Sequence, residues 1–261
     1  MRIDGEKLVQ LAAREFSARS PEELRRELNI FFVGADLPER ETLETLYESH
    51  FQSNASLFHL TFGARDAFPK GEAMARTIKK NFNAHLMGRL EFAAPTQVIE
   101  RAYAAGVDLL DFPLPGSGTV PRPELFRALE DARTVFPRWA VVSSLVAGEE
   151  PASALLEKID ALLAVEVVPL VVLSSRATHL AKEELHRIYS HLQHGWRAHK
   201  VAIKPLLPLI YATSPLVPAA APGVLRGFID KIEERRLLAT SDLRRVLRVK
   251  EVEESFASSG L

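Results

Sequence analysis

The sequence contains no cysteine. Disulfides, thiolate-ligated zinc, a catalytic thiol and a thiolate-held iron–sulfur cluster are therefore excluded within this chain. A charge excess is also missing. With 33 Lys and Arg against 34 Asp and Glu, the formal net charge is -1, which argues against nucleic-acid binding through bulk charge. No run of about 18 consecutive apolar residues occurs, so no transmembrane helix is expected. The opening stretch "MRIDGEKLVQLAAREF" is charged and lacks the apolar core of a signal peptide, so a cytoplasmic location is expected. What the sequence does have is material for a core: 47% hydrophobic and 26% charged residues in a chain of 261. That composition suits a folded domain, and the length suits an α/β barrel built as one unit.

The apolar pattern repeats. Seven short apolar runs, Ile30–Val33, Ser56–Phe62, Ala84–Phe92, Val107–Phe112, Ala140–Val146, Val167–Leu173 and Val201–Ile210, read as strands, and amphipathic helical segments lie between them. Apolar strands alternating with crossover helices imply a parallel sheet covered by helices. The expected fold is α/β, a TIM-like (β/α) barrel, full or partial, over residues 29–213, with a doubly wound open sheet as the alternative. A helical N-terminal extension is expected over residues 1–28, because Ser20, Pro21 and the two glutamates that follow suit a helix start. Residues 214–261 read as a Pro/Ala linker followed by C-terminal helices. There Leu237, Leu238, Leu243, Val246, Leu247 and Val249 interleave with basic residues, a pattern that fits packing on the barrel, a partner or second subunit, or an anionic membrane surface.

Barrel chemistry belongs at the C-terminal ends of the strands. On the third strand, alternation sets Arg89 and Glu91 on the face opposite Gly88, Leu90 and Phe92, pointing them into the barrel. Arg89 there can bind a substrate, and Glu91 can act as an acid or base; a mutual structural ion pair is the competing reading. Asp111, at the end of the fourth strand, can bind a hydroxyl pair, act as a base or cap the following loop. Lys204 lies in an apolar run that would desolvate it, and with Glu91 and Asp111 it could support lyase or aldolase-like chemistry. His59 and His85, on adjacent strands, could meet a metal with a nearby acid, although no ligand spacing supports one, and packed histidines are the competing reading. "PGSGT", Pro115 to Thr119, reads as a turn or a phosphate cradle.

Three segments carry a family likeness. "IERAYAAGVDLLDFPL", "VVSSLVAGEEP" and "VVPLVVLSS" resemble consecutive parts of the biotin-synthase-like branch of the radical SAM superfamily, over roughly residues 96–175. The resemblance implies a full or partial (β/α) barrel that holds S-adenosylmethionine. It implies Asp111 at the ribose, Ser143, Ser144 and Gly148 along the adenosyl group, and Glu150 as the acid of the glycine-rich motif. Ser144 and Leu145 stand where that family has glycines. Its three-cysteine loop falls on "VGADLPERETLETLY", which has no cysteine. The expectation is therefore a cluster-less relative that binds S-adenosylmethionine, a related nucleoside or a small substrate, as a non-catalytic partner of an active paralogue. Reconstitution with iron and sulfide is expected to leave the purified protein colourless, since no thiolate is available to hold a cluster. A stable visible absorption band with stoichiometric iron would contradict this.

Overall fold

The computed structural model describes residues 1–114, 123–219, 236 and 238–248. In chain order the elements are β1 (Arg2–Ile3), α1 (Gly5–Ala13), β2 (Leu24–Glu27), β3 (Ile30–Gly34), α2 (Glu39–Gln52), β4 (Leu57–Thr61), α3 (Phe68–Asn81), β5 (His85–Arg89), α4 (Thr96–Ala104) and β6 (Leu109–Asp111). They continue with α5 (Pro123–Val135), β7 (Val141–Val146), α6 (Ala152–Ala164), β8 (Val168–Val172), α7 (Lys182–Ala198), α8 (Leu207–Thr213) and β9 (Leu216–Val217). Strands β3 to β8 lie side by side in sequence order and run parallel, and β2 adds an antiparallel edge on β3. The result is a curled, seven-stranded half-barrel.

The strands form where the sequence is continuously apolar, because both faces are covered. Ile30, Leu57, Leu60, Leu86, Leu110, Val141, Val142 and Val168 are all fully buried. Gly88 shows which face meets the helices. A Cβ there would lie 2.9 Å from the Phe62 ring, and one on Gly71 of α3 would lie 2.4 Å from the same ring. Phe62 is thus clamped between strand and helix by two residues without side chains. The opposite parity, carrying Thr61, Arg89 and Asp111 in register, faces the concave side.

Two elements differ from the sequence reading. Val201–Ile210 is not a seventh strand: it holds a 3₁₀ turn, Lys204–Leu206, and the start of α8. Pro205 and Pro208 explain this, since proline removes a ladder donor from a central strand but fits a first helical turn. Helix α8 packs against both β3 and β8, where the closing strands of a full barrel would run. Residues 20–28 are likewise not helical. Ser20–Glu23 form a turn, and β2 pairs with β3 through a tight reversal at Leu28, whose φ is 52°. The sheet therefore begins at Leu24, inside the stretch expected to be a helical extension. Beyond Thr213, β9 pairs with β1 and ties the two extensions together.

At the N-terminal end of the sheet, Asp108 is a buried anchor. It accepts from Lys79 Nζ at 3.0 Å, Leu86 N at 2.9 Å and Ser241 Oγ at 2.8 Å, and pairs with Arg245. The helical segment 238–248 is held to the sheet through these polar bonds. Leu238 and Arg245 are buried while Leu243, Val246 and Leu247 are exposed, so the packing on the barrel that the pattern allowed is met by Leu238 and not by the other three. Leu237 and Val249 lie outside the described residues. Burial pushes the Asp108 carboxyl up, but Lys79 and Arg245 outweigh it and hold it below the ordinary value. Asp108→Ala would leave Lys79 and Arg245 in a poorly solvated site with the half-exposed Asp242 as their shared partner, and a loss of about 3 kcal/mol is expected from chemical denaturation. Hydrogen exchange over 238–248 is expected to rise in that variant, and unchanged protection there would contradict the anchoring role.

Candidate functional site

The parallel strands end on one rim, and three of them bring polar residues together there. Arg89 closes β5, Asp111 closes β6 and Ser144 lies within β7. Asp111 has 0% exposure. One carboxylate oxygen accepts from Ser144 N at 3.0 Å, and the other from Ser144 Oγ and Arg89 Nη1, both at 3.0 Å. His59 Nε2 stands 3.9 Å away, too far for a hydrogen bond but close enough for its charge state to matter. Burial pushes Asp111 up, and the Arg89 guanidinium with the Ser144 donors outweighs that and keeps its carboxyl below the ordinary range. Arg89 also donates Nε to Glu91 Oε1 at 2.9 Å, so one guanidinium bridges two carboxylates.

In front of this cluster is an open cavity of about 360 Å³. Arg89, Glu91 and Ser144 form its polar floor. Phe92, Pro113, Leu114, Val146 and Val172 supply apolar walls. The remaining side comes from the N-terminal segment after α1, which contributes Phe16, Ser17 and Arg19. That segment is fastened to the loop after β8, with Ser175 N donating to Arg14 O at 2.8 Å and Phe16 N to Ser175 Oγ at 3.3 Å. Arg176 lies 4.0 Å over the Phe16 ring and pairs with Glu149 at the cavity edge.

Arg19 is the group that the sequence reading missed. Its guanidinium stacks 3.6 Å over Phe32 and donates Nη1 to Glu23 at 3.2 Å. Its side chain is only 13% exposed. Burial lowers its pKa to about 10, with Arg25 and Arg89 adding to the effect and Glu23 opposing it, so it stays charged near neutrality. The signal available was "FSARSPEEL", in which serine and proline interrupt the helical pattern and leave an arginine just before a turn.

The other expected site residues separate. Asp111 lies behind Arg89 and Ser144 with both oxygens engaged, and does not line the cavity. Ser143 points to the other side of β7, where its hydroxyl donates to Phe112 O at 2.8 Å. Gly148 has φ 91°, and a Cβ there would fall 2.0 Å from Arg176 O, so it serves the close approach of two loops. Glu150 is buried, with Lys158 Nζ 2.8 Å from its carboxylate. Lys204 begins the turn before α8 at the N-terminal end of the sheet, since α7 runs back from the rim and Thr213, at the end of α8, is what reaches Leu173. Lys204 is not brought together with Glu91 and Asp111. His59 faces Asp111, whereas His85 faces Asp108 at 4.0 Å, and no group of three or more His, Asp or Glu poised for a metal occurs among the described residues. "PGSGT" lies outside the described residues. No helix of the described residues is long and apolar enough to cross a membrane.

Compared with protein-family models and with curated proteins, the chain matches none.

Both buried histidines are held neutral. Burial lowers the pKa of His59 and of His85 below that of a free imidazole, and the facing carboxylates only partly offset it. The unfolded chain therefore binds more protons than the fold once pH drops into the ordinary histidine range. Stability is expected to be complete above the unfolded histidine pKa and to fall as pH drops through the lowered folded values. Denaturation curves between pH 8 and pH 4 check this, and a His59→Gln, His85→Gln double variant is expected to flatten the part of the decline that starts near the ordinary histidine range.

Proposed function

We propose that the chain is a small-molecule binding protein that receives its ligand in the cavity at the C-terminal rim of the half-barrel, with S-adenosylmethionine or a related nucleoside as the ligand class. The observation that carries this is the cavity itself. It opens where parallel α/β sheets receive ligands, its 360 Å³ lies in the range of small-molecule sites, and it combines apolar walls with a few oriented polar groups. Phe92, Pro113 and Val146 offer flat and branched surfaces for a ring, and Ser144 offers a hydroxyl oxygen to the sugar. Asp111 acts through Arg89 and Ser144 and does not touch the ligand in this reading. The iron–sulfur cluster of the resembling family has no fit here: the loop after β3 supplies no thiolate, and no radical step is derived. Lysine-based lyase chemistry gains no support, because it requires Lys204 at this cavity. Action as the non-catalytic partner of an active paralogue remains compatible with ligand binding.

The test is titration calorimetry of the full chain with S-adenosylmethionine and S-adenosylhomocysteine. Binding in the micromolar to submillimolar range is expected. Asp111→Asn would release Arg89 and is expected to weaken binding by about 1.5–3 kcal/mol, the usual worth of a hydrogen bond to a charged group. No heat and no thermal shift with either compound at millimolar concentration would remove the nucleoside reading.

A further inference from the structure

Two ion-pair networks flank this cavity, and their charge excesses are opposite. On the N-terminal side, Arg14, Arg19 and Arg25 share two carboxylates: Glu23 serves Arg19 and Arg25, and Glu27 serves Arg14 and Arg25. Among the described residues, that network is one positive charge in surplus. Of this network Arg19 is the member that lines the cavity; Arg14, Arg25 and Glu27 line the adjoining cleft with Glu15, which is exposed and forms no ion pair with these arginines among the described residues. On the strand side, the single guanidinium of Arg89 serves both Asp111 and Glu91, which leaves one negative charge in surplus. Glu149 and Arg176 at the edge balance each other.

The surplus on each wall has a particular owner. Arg19 makes one side-chain hydrogen bond, to Glu23, and is otherwise supported by an aromatic face. A guanidinium has five N–H donors, so Arg19 retains donors for an anion in the cavity it lines. Glu91 is 40% exposed and uses Oε1 for Arg89, so its other oxygen is the accessible acceptor of the strand side. The pair of charges is built into a partly desolvated space, where a complementary charge gains more than in water.

We infer that the cavity recognises a zwitterion of the α-amino acid type, with the carboxylate seated on Arg19 and the ammonium on Glu91. This deepens the binding reading above and rests on the same cavity, but it makes a separate claim. A nucleoside without an amino acid group would satisfy the apolar walls and leave both charges uncompensated.

Calorimetry with four probes separates the two claims: S-adenosylhomocysteine, 5′-methylthioadenosine, methionine and N-acetylmethionine. S-adenosylhomocysteine is expected to bind at least about 30-fold more tightly than 5′-methylthioadenosine, the scale of one to two charge-assisted hydrogen bonds. Arg19→Gln and Glu91→Gln are each expected to weaken S-adenosylhomocysteine by about tenfold or more and to leave 5′-methylthioadenosine unchanged. Arg19→Lys, which keeps the charge, is expected to recover part of the loss, and thermal unfolding of each variant checks that the fold is retained. Equal binding of the two nucleosides by the wild-type chain, or a preference that survives Arg19→Gln, overturns the zwitterion site and leaves the nucleoside reading standing. Methionine binding more tightly than N-acetylmethionine while neither nucleoside binds supports the zwitterion site and removes the nucleoside. No binding of any probe at millimolar concentration overturns both.

Discussion

A carboxylate with no solvent contact sits on the concave face of this sheet, and Asp111 can remain ionised there only because three donors converge on it. Leaving such a group with a missing partner costs several kcal/mol, so the donors are constrained as strongly as the acid. Two come from one residue: Ser144 uses its backbone N–H and its hydroxyl, which fixes where β7 stands beside β6. The third comes from Arg89, which stands directly opposite Asp111 across the β5–β6 ladder. A shift of either strand by one residue would turn its side chain to the helices. Register, side-chain direction and cavity floor are therefore consequences of one buried charge. Glu91 inherits its place from the same bond network, since Arg89 can serve it only from the position that Asp111 imposes.

The opposite end of the sheet repeats this arrangement for a structural purpose. Asp108 is buried before β6 begins, and Lys79, Ser241 and Arg245 converge on it. One short strand thus has an acid near each end: one organises the mouth of the cavity, and the other holds a helical segment distant in sequence. Between them His59 and His85 fill space as neutral rings on the concave side. His59 Nδ1 and both His85 nitrogens have no hydrogen-bond partner among the described residues, so these rings contribute packing at the expense of tolerance to acid.

Periodicity made most of this visible in advance. The six parallel strands β3 to β8 each coincide with an apolar run of the sequence to within one residue or lie inside it, and alternation along "HLMGRLEF" put Arg89 on the face away from Gly88. The failures have identifiable causes. An apolar run containing Pro205 and Pro208 has the hydrophobicity of a strand but cannot donate to a central ladder, and it became α8. Residues 20–28 combined a good helix-start pattern with a good β-hairpin partner, and pairing with β3 prevailed over local propensity. Arg245 is one of the basic residues that interleave with the leucines of the C-terminal helix, and only the tertiary position of Asp108 turns it inward. The motif residues of "VVSSLVAGEEP" divide between three environments, since Ser143, Ser144 and Gly148 fall on two faces of β7 and in a loop contact that sequence alone does not reveal.

The half-barrel also determines how the fourth side of the cavity is made. A closed barrel would surround its mouth with strand-to-helix loops, but here α8 replaces the last strands and leaves the edge between β2 and β8 to be covered by other means. The segment following α1 does this, and it is restrained along its length. Asp4 N bonds Pro215 O at 2.9 Å, Lys7 Nζ donates to Leu216 O at 3.2 Å, and Arg14 and Phe16 are fastened to Ser175. Arg19 follows these anchors directly and rests on Phe32 of β3. Its guanidinium therefore reaches the cavity already oriented and already largely removed from water. The entropy and desolvation costs that a mobile arginine would incur on meeting an anion have been met in folding. An open sheet edge, which elsewhere is a liability, thereby becomes the means by which a residue outside the parallel strands enters the cavity with its geometry preset.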